Sequence, residues 1–243
     1  MTAGNPSRHD EQPAFVLHSY PFRETSLIIE AFTRDAGRIA LVARGARRPR
    51  STLRGLLRSF QPLLLSWSGK AELRTLHKAE WHGAYAPLAG LSLICGFYLN
   101  ELLLRLLARD DPHERLFTVY QETLEALAAH GGSAATLRRF EKHLLRELGY
   151  GLVLDRDADT GAPIAAEARY TYVVDRGPVA GGGDEAGNGV ELNGQTLIDM
   201  QSDNYTTMAT LQQSKALMRA LINHYLGDRT LHTRQLLRDL RAL

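Results

Sequence analysis

Between Arg44 and Arg58 the chain reads R-G-A-R-R-P-R-S-T-L-R-G-L-L-R, six arginines in fifteen residues with no acidic residue among them. A guanidinium is planar, permanently charged and carries a fork of donors that matches two phosphate oxygens, so such a run is chemistry for gripping a nucleic-acid backbone. Gly45, Pro49, Ser51 and Gly55 punctuate it as loop residues do, and apolar strand-like segments flank it on both sides. Arg44, Arg47, Arg48, Arg50, Arg54 and Arg58 are therefore expected to be displayed by a folded scaffold. A solvated basic loop, or one that docks an acidic protein, is the other reading the composition allows. Arg38 and Lys70, on adjoining segments, are further candidates for phosphate contact. Tyr20 and Phe22 flank Pro21 and are candidates to stack on bases. Phe60 and Trp67 bound an apolar run, and for them core packing is the favoured role.

Other chemistry finds little support. The nine histidines show no paired-ligand spacing, and the chain has no phosphate-binding loop of the Walker type, no G-x-S-x-G and no G-x-G-x-x-G after a strand. Cys95, the single cysteine, sits in an apolar stretch where burial makes a thiol inert. Asp155, Asp157 and Asp159 alternate as in a cation loop but lack the required glycine and downstream glutamate, so they read as a solvated acidic loop. No catalytic residue, cofactor or metal site is expected.

The elements that must hold the arginines follow from periodicity. Five short β-type runs, at 14–20, 26–33, 37–43, 60–67 and 71–80, several alternating apolar with polar residues, imply a small antiparallel barrel. An OB-fold, which often binds oligonucleotides across one face, is the economical choice, although SH3-like barrels have similar strand counts. From Leu88 the period turns helical, predicting helices at about 88–109, 112–130 and 134–148, with Asp111 capping the second. Residues 151–195 are acidic and rich in Gly and Ala, with one strand-like piece at 169–175 and a mobile loop expected around 179–190. Helical pattern resumes at about 210–225 and from 233 to the end, where Arg234, Arg238 and Arg241 share one side. The expected class is α+β: an OB barrel over 1–83, a helical bundle over 84–150, a small acidic module over 151–203 and C-terminal helices over 204–243.

Charge is segregated along these segments. Lys and Arg against Asp and Glu number 13 to 7 in residues 1–83, 7 to 8 in 84–150, 3 to 10 in 151–203 and 6 to 2 in 204–243, which hides behind a net charge of +2. The nucleic-acid surface is thus expected mainly on the N-terminal part. The longest apolar stretch, 88–108, holds Asn100, Glu101 and Arg105, which are costly in lipid, so it reads as a buried helix and no membrane association is expected. The first residues lack a signal-peptide core, and a cytoplasmic, nucleoid-associated location is expected.

With the elements in place, the words from Phe15 to Gly55, together with Phe60-Gln61-Pro62, G-K-A-E-L-R-T-L at 69–76, Y-L-N-E-L at 98–102, L-R-R-F-E at 137–141 and L-G-Y-G at 148–151, resemble the bacterial RecO family of recombination mediators. The resemblance spans nearly the whole chain; it is most specific in the first eighty residues and loose over 151–200. It implies a protein that binds single- and double-stranded DNA, anneals complementary strands and, with RecR and RecF, helps load RecA onto DNA covered by single-stranded-DNA-binding protein, without catalysis. It also implies docking of that protein's acidic C-terminal tail, for which Arg138, Arg139 and Lys142 beside the apolar face of helix 134–148 are candidates; a bundle helix with a solvated basic edge is the alternative. Many family members carry a four-cysteine zinc module after L-G-Y-G, whereas residues 152–194 contain neither Cys nor His, so a metal-free module is expected. The competing functional reading is an OB-type RNA-binding or translation-associated module, with a nuclease a distant third.

Overall fold

The structure is a computed structural model that describes residues 8–83, 85–181 and 189–235. Most of the expected glycine-rich loop, together with Arg238 and Arg241, lies outside these described residues. Contacts divide the chain into two compact units, Met1–Gly132 with Leu231–Leu243, and Ser133–Thr230.

In the first unit β1 (Arg8–Phe22), β2 (Ser26–Thr33), β3 (Gly37–Ala43), β4 (Leu63–Ser68) and β5 (Leu73–Trp81) close a barrel in the order β1-β2-β3-β5-β4, the strand order of an OB-fold. The all-antiparallel expectation needs one correction: β3 and β5 run parallel, pairing Ala40 with Leu73 and Val42 with Thr75. Five strands in a closed ring cannot alternate direction at every step, so one parallel pair is unavoidable. β1 also starts earlier than its alternation suggested. Its first half pairs with β4 and its second with β2, and a bulge between His9 and Gln12 bends it from one neighbour to the other. The apolar halves of the strands fill the interior with Val16, Ile29, Ile39, Leu41, Leu65 and Trp67. Phe60 and Trp67 are both buried, in line with their packing role.

A short helix, α1 (Leu53–Leu56), interrupts the arginine run, and α2 (Gly90–Leu106) and α3 (Glu114–His130) follow the barrel. Aromatic packing joins α3 to the outside of the sheet: Phe117 lies 5.5 Å from Phe15 and 5.4 Å from Phe32 by ring centroid, with Tyr120 edge-on to both. Two of the polar residues that argue against a membrane span, Asn100 and Glu101, fasten α2. Asn100 donates to the Leu17 carbonyl at 2.8 Å and accepts from the Tyr120 hydroxyl at 2.5 Å. Glu101 accepts from the amides of His232 and Thr233 and from the Thr233 hydroxyl, capping the helical turn at 232–235; although burial opposes it, these donors hold its carboxyl below the ordinary value. Among the described residues no helix is long and apolar enough to cross a membrane.

Helix α3 does not begin on an Asp111 cap. His113 occupies the cap position without a side-chain bond, and the Asp111 backbone instead lies over Gly37 in the β2–β3 turn. Gly37 has φ +69°, and a Cβ there would run into the Asp111 carbonyl. Gly37→Ala is therefore expected to cost about 1–3 kcal/mol, read as a lower denaturant midpoint with unchanged slope.

The second unit contains α4 (Ala134–Glu147), a sheet of β6 (Arg169–Val173), β7 (Gly177–Ala180) and β8 (Val190–Asn193) in the order β7-β6-β8, α5 (Gly194–Gln201) and α6 (Met208–Leu226). Helix α6 packs against α4, α5 and β8.

Candidate nucleic-acid interface

Register assembles a continuous row on the outer face of the barrel. Tyr20 pairs with Ile28, Ile28 with Val42, and Val42 with Thr75, across β1, β2, β3 and β5. Residues directly opposite one another project to the same side of a sheet, and because Ile29 and Leu41 point into the core, this row points out. Phe22 pairs with Ser26 one step along. There an open groove of about 980 Å³ is lined by Phe22, Arg23, Val42, Arg44, Arg48 and Thr75 among others.

The start of the arginine run, Arg44, Gly45 and Arg48, forms one edge of that groove. Arg44, Arg47, Arg48, Arg50, Arg54 and Arg58 are all exposed, as is Lys70 in the β4–β5 turn. The loop is anchored by fully buried Ala46 and by Arg47, whose amide donates to the Thr25 carbonyl at 2.9 Å and whose Nη1 donates to the carbonyls of Arg23 and Glu24 at 3.2 and 3.3 Å. Arg47 thus ties the loop to the β1–β2 turn. Arg23, which has no basic neighbour in the sequence to single it out, lines the groove and lies 5.2 Å from the centre of the Phe22 ring.

Tyr20 is 38 % exposed and its hydroxyl donates to Glu30 at 3.4 Å. Partial burial first, and then the adjacent carboxylate, push the phenol above its ordinary value, so it stays a neutral donor. His18 packs edge-on against the Tyr20 ring at 4.8 Å, a neighbour that its isolated place in the sequence did not reveal.

Arg38 is placed differently from the expectation. Its Nη1 bridges to Glu30 at 3.1 Å and its Nε donates to the Leu107 carbonyl at 3.2 Å, so its charge is spent on a carboxylate that is itself only 2 % exposed. A buried glutamate needs a cation, and the β2–β3 register sets Arg38 near enough to supply one.

In the second unit the three cations proposed for a partner tail have partners within the chain. Arg138 is buried and bridges Glu141 at 2.6 Å. Arg139 donates to the Asp203 carbonyl at 3.1 Å and lies over Tyr205, and Lys142 bridges the Asp203 carboxylate at 2.7 Å. All three sit on α4, and the last two hold the α5–α6 connection.

The three alternating aspartates do not converge. Asp155 pairs with Arg156 and Asp159 with Arg176, while Asp157 is buried and accepts from the amides of Asp159, Thr160 and Ala180 and from the Thr160 hydroxyl. The solvated-loop expectation fails for Asp157, which instead closes the 157–160 turn onto β7. Among the described residues no group of three metal-ligating side chains comes together.

Comparison with known proteins agrees along the length of the chain. The family described as recombination protein O, N terminal, matches residues 9–85, and recombination protein O, C terminal, matches residues 89–235. The chain is 58% identical over 236 residues to the DNA repair protein RecO of Nitrosospira multiformis, an alignment covering 97% of this chain and 98% of that one. It is 54% identical over 236 residues to the protein of the same name from Aromatoleum aromaticum, covering 97% and 98%, and 51% identical over 240 residues to that of Dechloromonas aromatica, covering 98% of both.

Proposed function

This chain belongs to the RecO family of DNA repair proteins, and from that premise we propose that the groove beside the arginine loop binds single-stranded DNA and that the protein acts by binding and pairing strands, without breaking bonds. The observation that carries the reading is the juxtaposition of the Tyr20–Ile28–Val42–Thr75 row with exposed guanidinium groups along one edge. Bases stack on an aromatic and apolar floor while the phosphates meet the arginines, which is the division of labour of a sequence-tolerant single-strand site. Duplex DNA engages the same arginines through its backbone alone.

Annealing follows from the same arrangement. Arginines that neutralise one strand lower the repulsion felt by a second, and bases held by one face keep their pairing edges free. The partners of the reading are DNA, RecR, RecF and single-stranded-DNA-binding protein, with RecA loaded as the consequence. Because two of the three α4 cations hold the α5–α6 connection and Arg138 pairs with Glu141, a tail peptide would have to displace an internal contact to use them.

Affinity for single-stranded DNA, duplex and RNA of equal length, with a magnesium-dependent cleavage control, tests the proposal. Tightest binding to single-stranded DNA without cleavage is expected. Preference for RNA would favour a translation-associated module, and strand scission would require an enzyme.

A further inference from the structure

The connection between α2 and α3 is stitched to three strands of the barrel by alternating charges. Glu30 of β2 is almost fully buried, and its carboxylate is shared: Oε2 accepts from Arg38 at 3.1 Å, while Oε1 accepts from Arg109 and from the Tyr20 hydroxyl. The other terminal nitrogen of Arg109 donates to Glu72, in the turn that also carries Lys70. Next to it, the Asp110 amide donates to the Arg38 carbonyl at 3.0 Å and the Asp110 carboxylate bridges Arg74 at 2.6 Å. Arg74 directly precedes Thr75 of the exposed row. Three arginines meet three acids here, so the cluster balances and its own charge offers little to phosphate. What it can supply is geometry.

Resting on the reading that the Tyr20 row is the stacking floor, we propose that Arg109 is a positioning residue for nucleic-acid binding. Through Glu30 it holds the Tyr20 hydroxyl, and so the tip of a ring against which His18 packs edge-on, while Glu72 braces the guanidinium from its other end. A stacking platform gains from being held in place before the base arrives, because less side-chain freedom is lost on binding. One guanidinium can serve both carboxylates because its two terminal nitrogens diverge, which an ammonium on a flexible stem cannot reproduce.

The test separates stacking from phosphate contact. Arg109→Ala is expected to weaken binding of an oligothymidylate about fivefold while leaving an abasic oligonucleotide of the same length, and the slope of log K against log salt, unchanged. Tyr20→Ala should show the same pattern, and the double variant should bind no more weakly than Tyr20→Ala alone, because once the ring is gone Arg109 has nothing left to hold. Should the alanine variant fail to fold, as judged by its melting curve, Arg109→Lys keeps a cation beside Glu30 and carries the same cycle with the same non-additivity expected. Losses that add, or that fall equally on the abasic strand, overturn the positioning role. If Arg48→Ala weakens binding but neither substitution at Arg109 does, the positioning role alone is overturned. If Arg48→Ala is also without effect, the groove reading falls and this proposal with it.

Discussion

Replacing Arg44, Arg48, Arg50 and Arg54 together with alanine is expected to weaken single-stranded DNA binding at least a hundredfold at moderate salt and to flatten its salt dependence. Each phosphate contact on a single strand contributes about 0.7 to the slope of log K against log salt, so losing four should reduce that slope by about 3. All four side chains are exposed and none is needed to hold the barrel core, so the variant should melt with the parent. Arg47→Ala belongs to a different class. Its guanidinium holds the β1–β2 turn, so its loss should reduce affinity with a smaller change of slope than an equal loss at Arg48. Titrations at several salt concentrations read both quantities at once, and an unchanged slope in the fourfold variant would remove this loop from the site.

The largest stability effect is expected at Asp157. Its carboxylate satisfies three amides and a hydroxyl in a buried position, and alanine would leave those donors without a partner at a cost of about 3–5 kcal/mol. The amide of Thr160 first, and those of Ala180 and Asp159 with the Thr160 hydroxyl, hold the carboxyl below its ordinary value despite burial. A carboxyl whose folded value is depressed stabilises fully above its unfolded value, and that contribution is lost as pH falls through the folded one. Stability of the second unit should therefore decline below about pH 4, and Asp157→Asn should flatten that part of the profile. Hydrogen exchange at the Thr160 and Ala180 amides measures this locally; protection in Asp157→Ala equal to that of the parent would contradict it.

What the sequence made legible was whatever depends on near neighbours. Alternation in runs such as Glu72-Leu73-Arg74-Thr75-Leu76 marked the strands, and the long apolar run marked α2, because burial of one face imposes a period. Gly149, with φ +81° just past α4, and Gly227 after α6 stopped helices where expected. The strands β7 and β8 escaped because four residues are too few to show a period, and Gly177-Pro178 reads as a turn. Long-range partners escaped for a different reason. Arg38 looks like any basic residue on a strand until Glu30 and the Leu107 carbonyl are brought beside it, and nothing near Asp157 announces that Ala180 will donate to it. The exposed arginines of the loop were legible because exposure there follows from local composition, whereas the floor they border exists only through the β1–β2–β3–β5 register.

Photo-crosslinking of an iodouracil-substituted single strand, followed by identification of the attached peptides, shows whether bases lie on the outer face of the barrel. The halogenated base reacts with side chains it touches, so it reports the stacking floor rather than distant electrostatics. Attachment at Tyr20 or Phe22, lost when the arginines of the loop are replaced, is expected. Attachment confined to residues 133–230, with the barrel unlabelled and the labelling indifferent to the arginines, would contradict it.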